Sequence, residues 1–128
     1  MTLAQLDRSR QTILIVEDEA IIRMDLVDFF ADSGFDVLEA EGADGAIALM
    51  ENNPSIAAVV TDIQMPGSMD GVKLSHYLRD RWPPTVLIVT SGAIKPTAAD
   101  LPQGAIFMPK PFNPRTVLDL LRDARPVI

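Results

Sequence analysis

Residues 12–16 (TILIV) run into Glu17-Asp18-Glu19, and residues 56–61 (IAAVVT) run into Asp62. Residues 85–89 (TVLIV) are followed by Thr90 and Ser91, and residues 105–108 (AIFM) lie just before Lys110. Each short apolar run thus ends at a residue that can do chemistry. Carboxylates gathered at one place repel one another, and a hard divalent cation relieves that repulsion; ligands that are all oxygen suit Mg2+. A lysine and a hydroxyl facing the same point suit an oxyanion such as a phosphoryl group. One carboxylate could then be the nucleophile of a covalent phosphoryl transfer. Taken singly, each residue is ordinary: an acid in a polar loop, a surface lysine, a strand threonine with a local hydrogen bond. An acid pair, a lone Asp, a hydroxyl and a Lys-Pro at four strand ends are not ordinary together.

Those ends must be brought to one rim, and the pattern between them says how. After the first run, residues 20–33 read as a helix with Ile22, Leu26, Phe29 and Phe30 on one stripe, closed by Gly34. Residues 35–40 form a second strand. A second helix spans 43–52, with Ala46, Ile47, Leu49 and Met50 apolar and Pro54 beyond its end. After the third strand and the loop IQMPGSMDG, Asp70 or Ser68 caps a helix running through Trp82, with Leu74 and Leu78 inward and Pro83-Pro84 to break it. Asn113-Pro114 opens a last helix with Val117, Leu118 and Leu121 inward. Five nearly continuous apolar strands alternating with helices predict an α/β fold, a doubly wound five-stranded parallel sheet covered on both faces. Such sheets bind ligands beyond the carboxyl ends of their strands.

Charge and composition narrow the functions. The 128 residues suit one domain with its own core. The formal charge is −7, and residues 1–64 hold 13 acids against 3 bases. That is a poor footing for nucleic acid or anionic lipid, both of which need a basic face, so neither is expected as a partner. Cysteine is absent and His76 is the only histidine, which removes thiol chemistry, disulfides, zinc fingers and multi-His metal sites. No signal peptide and no membrane span of ~18 apolar residues is seen. The expectation is a cytoplasmic protein with a polar N-terminal extension over 1–11, a domain over 12–125 and a tail over 126–128.

The motifs Glu17-Asp18-Glu19 after ILIV, Asp62 in VVTDIQMP with Gly71 downstream, Thr90 in LIVTSG, and Lys110-Pro111-Phe112 stand in a telling order. With them, the chain resembles a response-regulator receiver domain of two-component signalling, of the stand-alone type. The resemblance implies a flavodoxin-like (βα)5 fold with strand order 2-1-3-4-5. It implies that Asp62 accepts a phosphoryl group from a histidine of a sensor histidine kinase or a histidine phosphotransferase. Asp18 and Asp62 would ligate Mg2+ directly, Glu17 through water, and Gln64 through its backbone carbonyl. Thr90 would bind a phosphoryl oxygen, Lys110 would pair with the phosphate, and Thr90 and Phe107 would form the switch that changes the face offered to a downstream protein. Ile21, Met24 and Asp28 would belong to a docking face for the kinase. A carboxylate nucleophile is ionised at neutral pH, so this chemistry needs no general base. The chain would catalyse only its own phosphorylation and dephosphorylation.

Some residues depart from the family's commonest pattern. MPGSMDG is one residue longer than usual. Ser91 stands where Ala is frequent, Phe107 replaces a Tyr, and Pro109 before Lys110 has no N–H to donate. The stretch from Thr90 to Lys110 is short and holds Pro96, Pro102 and Gly104, so the fourth helix should be abbreviated or irregular. Two other classes compete. An aspartate-based Mg2+ phosphatase of the haloacid dehalogenase type wants a second Asp two residues after the nucleophile, where Gln64 and Ala20 stand. A flavodoxin-like cofactor binder wants Ser, Thr or Gly in the loop that here holds three acids. Only Arg125-Pro126-Val127-Ile128 follow the last helix, so the chain is expected to act by binding a partner, or as a shuttle or sink for phosphoryl groups. His76 is expected to be a solvated helix residue, and Trp82 to cover a core edge.

Overall fold

Four of the five residues of TILIV are buried, which is what a strand covered on both faces requires. This strand is β1 (Thr12–Val16) in the computed structural model, which describes residues 10–67 and 69–123. It is followed by α1 (Ala20–Asp32), β2 (Asp36–Ala40), α2 (Ala43–Asn52), β3 (Ala58–Asp62), α3 (Gly71–Arg81), β4 (Val86–Ser91), β5 (Ile106–Pro109) and α4 (Pro114–Asp123). The sheet order is β2-β1-β3-β4-β5 and every pairing is parallel. The expected doubly wound fold and strand order are therefore present.

Alternate strand residues feed two cores. Ile13, Ile15, Val60 and Ile88 pack with Leu26 and Phe30 of α1 and Val117, Leu118 and Leu121 of α4. Leu14, Val16, Val59 and Leu87 pack on the other face with Ala46 and Met50 of α2 and Leu74 and Leu78 of α3. The apolar helix stripes read from the sequence are the buried or half-buried ones.

Helix ends follow local chemistry. Gly34 takes φ 98°, a left-handed conformation that costs glycine little. Its N–H bonds Ala31 O at 3.2 Å and the N–H of Phe35 bonds Phe30 O at 3.1 Å, while the rings of Phe30 and Phe35 meet edge to face at 6.0 Å. Asp70 caps α3, its carboxylate accepting from Lys73 N at 2.9 Å; the other candidate cap, Ser68, lies outside the described residues. Trp82 is half-buried against the second core, with the Arg81 guanidinium 5.2 Å over its ring.

Several boundaries differ from the sequence reading. Strands expected over 56–61, 85–89 and 105–108 are displaced toward the C-terminus, so that Asp62, Thr90 and Ser91 are strand residues and do not follow the strands. The strand expected over 35–40 starts one residue later. Backbone pairing continues past the last apolar side chain: Asp62 is opposite Thr90, and Ser91 is opposite Pro109. Lys110 N, next after Pro109, donates to Ser91 O at 2.9 Å. The first and third helices end one residue earlier than read, at Asp32 and Arg81. Of the expected N-terminal extension, Gln11 O accepts from Asp36 N at 2.9 Å and Arg10 bonds Phe35 O and Asp36. The rest of that extension, residues 1–9, and the tail over 126–128 lie outside the described residues.

Between β4 and β5 there is no full helix, only a 3-10 turn over Ala98–Asp100. Asp100 closes it with a carboxylate that accepts from the N–H and the hydroxyl of Thr97 at 2.8 and 2.9 Å. His76 is exposed as expected but not free: its Nε2 lies 2.7 Å from the carbonyl oxygen of Asp100, tying α3 to this turn.

Candidate functional site

The register of the sheet decides which side chains meet. β1, β3 and β4 are neighbours, so the loop after Val16, the last residue of β3 and the end of β4 converge on one rim. Lys110 follows β5, on the far side of β4, and reaches back across it. Its Nζ lies 2.6 Å from Glu17 Oε1 and 3.3 Å from Asp62 Oδ2. Glu17 and Asp62 are buried and Asp18 is exposed, and carboxylate oxygens of all three lie within 4.8 Å of one another. Three oxygen donors at that separation fit a hard divalent cation.

Glu17 is already committed through both oxygens. Oε1 accepts from Lys110, and Oε2 accepts from the N–H of Glu19 at 3.1 Å, which serves the otherwise uncapped start of α1. This leaves Asp18 and Asp62 better placed than Glu17 to touch a cation directly. Burial pushes the Glu17 carboxyl above its ordinary range, against the bonds from Lys110 and Glu19. Burial alone would lower the Lys110 ammonium; the bond to Glu17 and the charges of Asp62 and Glu17 outweigh it and hold Lys110 above its ordinary value.

Thr90 is buried beside Asp62, and its hydroxyl donates to Thr61 O over a long 3.4 Å. Ser91 is buried as well, with its Oγ accepting from Ile94 N at 2.9 Å, so it braces the loop after β4. Gly71 explains itself by proximity: a Cβ there would overlap the carbonyl of Asp62, and its own N–H bonds Ile63 O at 2.8 Å. Gln64 shares with Asp18, Asp70 and Ile94 the lining of an open cavity of about 360 Å3. Phe107 on β5 is half-buried and outside both cores. Ile21 and Met24 are 77% and 59% exposed on α1, and Asp28 is exposed on the same helix. A second groove of about 580 Å3 runs from Ile22 and Leu26 of α1 to Lys110 and Phe112.

The structure thus brings Glu17, Asp18, Asp62, Thr90 and Lys110 to one place and puts Gln64 beside them. Ile21, Met24 and Asp28 stand apart on a helix face. The sequence reading passed over Arg23, whose guanidinium donates to the carbonyl oxygen of Glu17 at 2.9 Å. The available signal was a cation one turn into the helix that follows the acid cluster.

A family model described as the response regulator receiver domain matches residues 13–122. The chain is similar to the response regulator protein FleR of Pseudomonas aeruginosa, 32% identical over 112 residues that cover 85% of this chain and 23% of that protein. It is 38% identical over 106 residues to the sensor kinase CckA of Brucella abortus, covering 80% of this chain and 11% of that one. Against the first relatives, FleR among them, the chain spans about a quarter of their length. A response regulator receiver protein of Sinorhizobium medicae superposes with a TM-score of 0.79 at 26% identity, over 92% of this chain and 99% of that one. An acid cluster and a lysine assembled at the rim of a 2-1-3-4-5 sheet, with a family match over nearly the whole fold, lead to one conclusion: the chain belongs to the response regulator receiver domain family.

Proposed function

We propose that the chain is a phosphoacceptor that takes a phosphoryl group on Asp62 from a phosphohistidine of a sensor histidine kinase or a histidine phosphotransferase. The observation that carries this is Lys110 Nζ at 3.3 Å from Asp62 Oδ2, inside a rim of three clustered carboxylates. An oxygen of Asp62 forms the new O–P bond as the donor's N–P bond breaks, and the leaving nitrogen keeps the electron pair. Lys110 stands where it can pair with a phosphoryl oxygen, and the weakly held hydroxyl of Thr90 can turn toward another. Asp18 and Asp62, with the Gln64 carbonyl and a water on Glu17, would hold Mg2+. When bound, that ion would offset the charge on the phosphoryl oxygens. Attack by water returns Asp62 and inorganic phosphate, so the chain turns over only its own phosphoryl group. A downstream protein reads the phosphorylated face. The reaction belongs in the cytoplasm with its kinase; among the described residues no helix is long and apolar enough to cross a membrane.

Acetyl phosphate with Mg2+, followed by intact mass, tests the reading. The wild type should gain about 80 Da, the mass of one phosphoryl group, and Asp62→Asn should gain none. An equal, stable, Mg2+-dependent adduct on Asp62→Asn would refute the assignment. A phosphatase would instead release phosphate from added phosphomonoesters without a matching adduct.

A further inference from the structure

The carbonyl of Glu17 lies in the same planar peptide unit as the nitrogen of Asp18, so whatever clamps that oxygen orients the plane from which the Asp18 side chain departs. The other side of Glu17 is already fixed, its N–H donating to Ala40 O at 3.0 Å. Arg23 supplies the second clamp: Nη1 donates to Glu17 O at 2.9 Å. The guanidinium is itself held, with Nε 3.0 Å from Glu39 Oε1 and Nη2 3.6 Å from Glu41 Oε1. The Arg23 side chain is only 12% exposed, whereas those of Glu39 and Glu41 are 50% and 80% exposed. A planar fork can serve the carbonyl and a carboxylate together, which a lysine cannot reproduce.

We propose that Arg23 is a positioning residue for cation binding, clamping the Glu17–Asp18 peptide so that the Asp18 carboxylate is preset beside Asp62. This rests on the reading of Asp18 and Asp62 as Mg2+ ligands. The sign of the effect separates it from plain electrostatics. A cation beside an acidic cluster repels Mg2+, so charge alone makes loss of Arg23 tighten Mg2+ binding. Loss of the clamp weakens it, as loss of outer partners does at metal sites.

Calorimetric titration of the whole chain with MgCl2 tests this, with melting temperature in EDTA read alongside. Arg23→Met, similar in length but without donors or charge, should bind Mg2+ about tenfold more weakly than wild type. Arg23→Lys keeps the repelling charge and loses the fork, so it too should bind Mg2+ more weakly than wild type. Affinity at or above the wild-type value in Arg23→Met overturns the inference, including the case in which only its melting temperature falls. Should Arg23→Met not fold, Arg23→Lys decides: weaker binding supports the clamp and unchanged binding overturns it. Asp18→Asn separates the two failures. If wild type binds Mg2+, Asp18→Asn does not and Arg23→Met binds as wild type, this inference alone falls. If wild type binds no Mg2+, the ligand reading falls and takes the inference with it.

Discussion

Lys110 stands between two buried carboxylates, and the pH dependence of the fold follows from that placement. The Glu17 carboxyl is held above its ordinary range, so its contribution to stability is full below that range and is lost as pH rises through the native value. Lys110, held above its ordinary value, contributes below that value and loses its contribution only as alkaline pH passes through the native one. At neutral pH Lys110 is therefore charged and offsets a Glu17 whose ionised form burial disfavours. Lys110→Met removes the offset and should cost about 3 kcal/mol at about pH 8 in EDTA, as when one partner of a buried pair is lost. Toward about pH 5 the loss should shrink, because Glu17 can then take up a proton. Urea unfolding at the two pH values checks this, and equal losses would contradict it. Asp18→Asn should behave in the opposite way. Removing one of three repelling carboxylates leaves the metal-free protein at least as stable as wild type. Wild type should gain about 2.7 kcal/mol at a Mg2+ concentration 100-fold above its dissociation constant, and the Asn variant should gain none. Melting curves with and without MgCl2 read both signs.

The elements show what was legible in the sequence and what was not. The helix stripes, the Gly34 stop and the Asp70 cap are local signals, and each is where the residues placed it. Strand ends were misplaced because the reading stopped at the last apolar residue, whereas parallel pairing is a backbone matter that carries Asp62, Thr90 and Ser91 into the ladder. The candidate site was legible because its residue types are chemically loud and sit at or just past the ends of apolar strands. Arg23 was not, since its partner is a backbone carbonyl, which residue types and spacing do not announce. Gly71 was read only as part of a family motif; its physical reason, close approach to the Asp62 carbonyl, needed the α3–β3 packing. From that packing, Gly71→Ala should destabilise by about 3 kcal/mol, the upper part of the ordinary overpacking range. It should also lower the yield of the acetyl phosphate adduct, since the overlap falls on the backbone of Asp62, the proposed acceptor. A urea midpoint and adduct yield equal to wild type would show that α3 can shift away without cost.

Across the whole molecule, the core-packed helices and the segment after β4 are built for different tasks. α1 and α2 each pack a buried stripe onto one of the two cores. The segment from Gly92 to Gly104 has only its 3-10 turn, held by the Thr97–Asp100 cap and the bond to His76. Such a segment opens locally at low cost. The sheet connects it to Asp62, the proposed acceptor: Asp62 is opposite Thr90, Thr90 is opposite Met108, and Phe107 is opposite Val89. A phosphoryl group on Asp62 should draw the Thr90 hydroxyl from its long 3.4 Å bond to Thr61 O, a bond weak enough to give up. The space this frees lies beside β5, where Phe107 has no hydroxyl to anchor its ring outside the cores. The ring should then turn inward and draw the segment after β4 with it, shifting a population that already exists without creating a new fold. Amide hydrogen exchange on the free protein and on an acyl-phosphate mimic tests this on the timescale of local opening. Protection should change within residues 91–112 and stay level in 20–55. Changes confined to 20–55 would place the switch on α1 and α2 and would refute the route through Thr90 and Phe107.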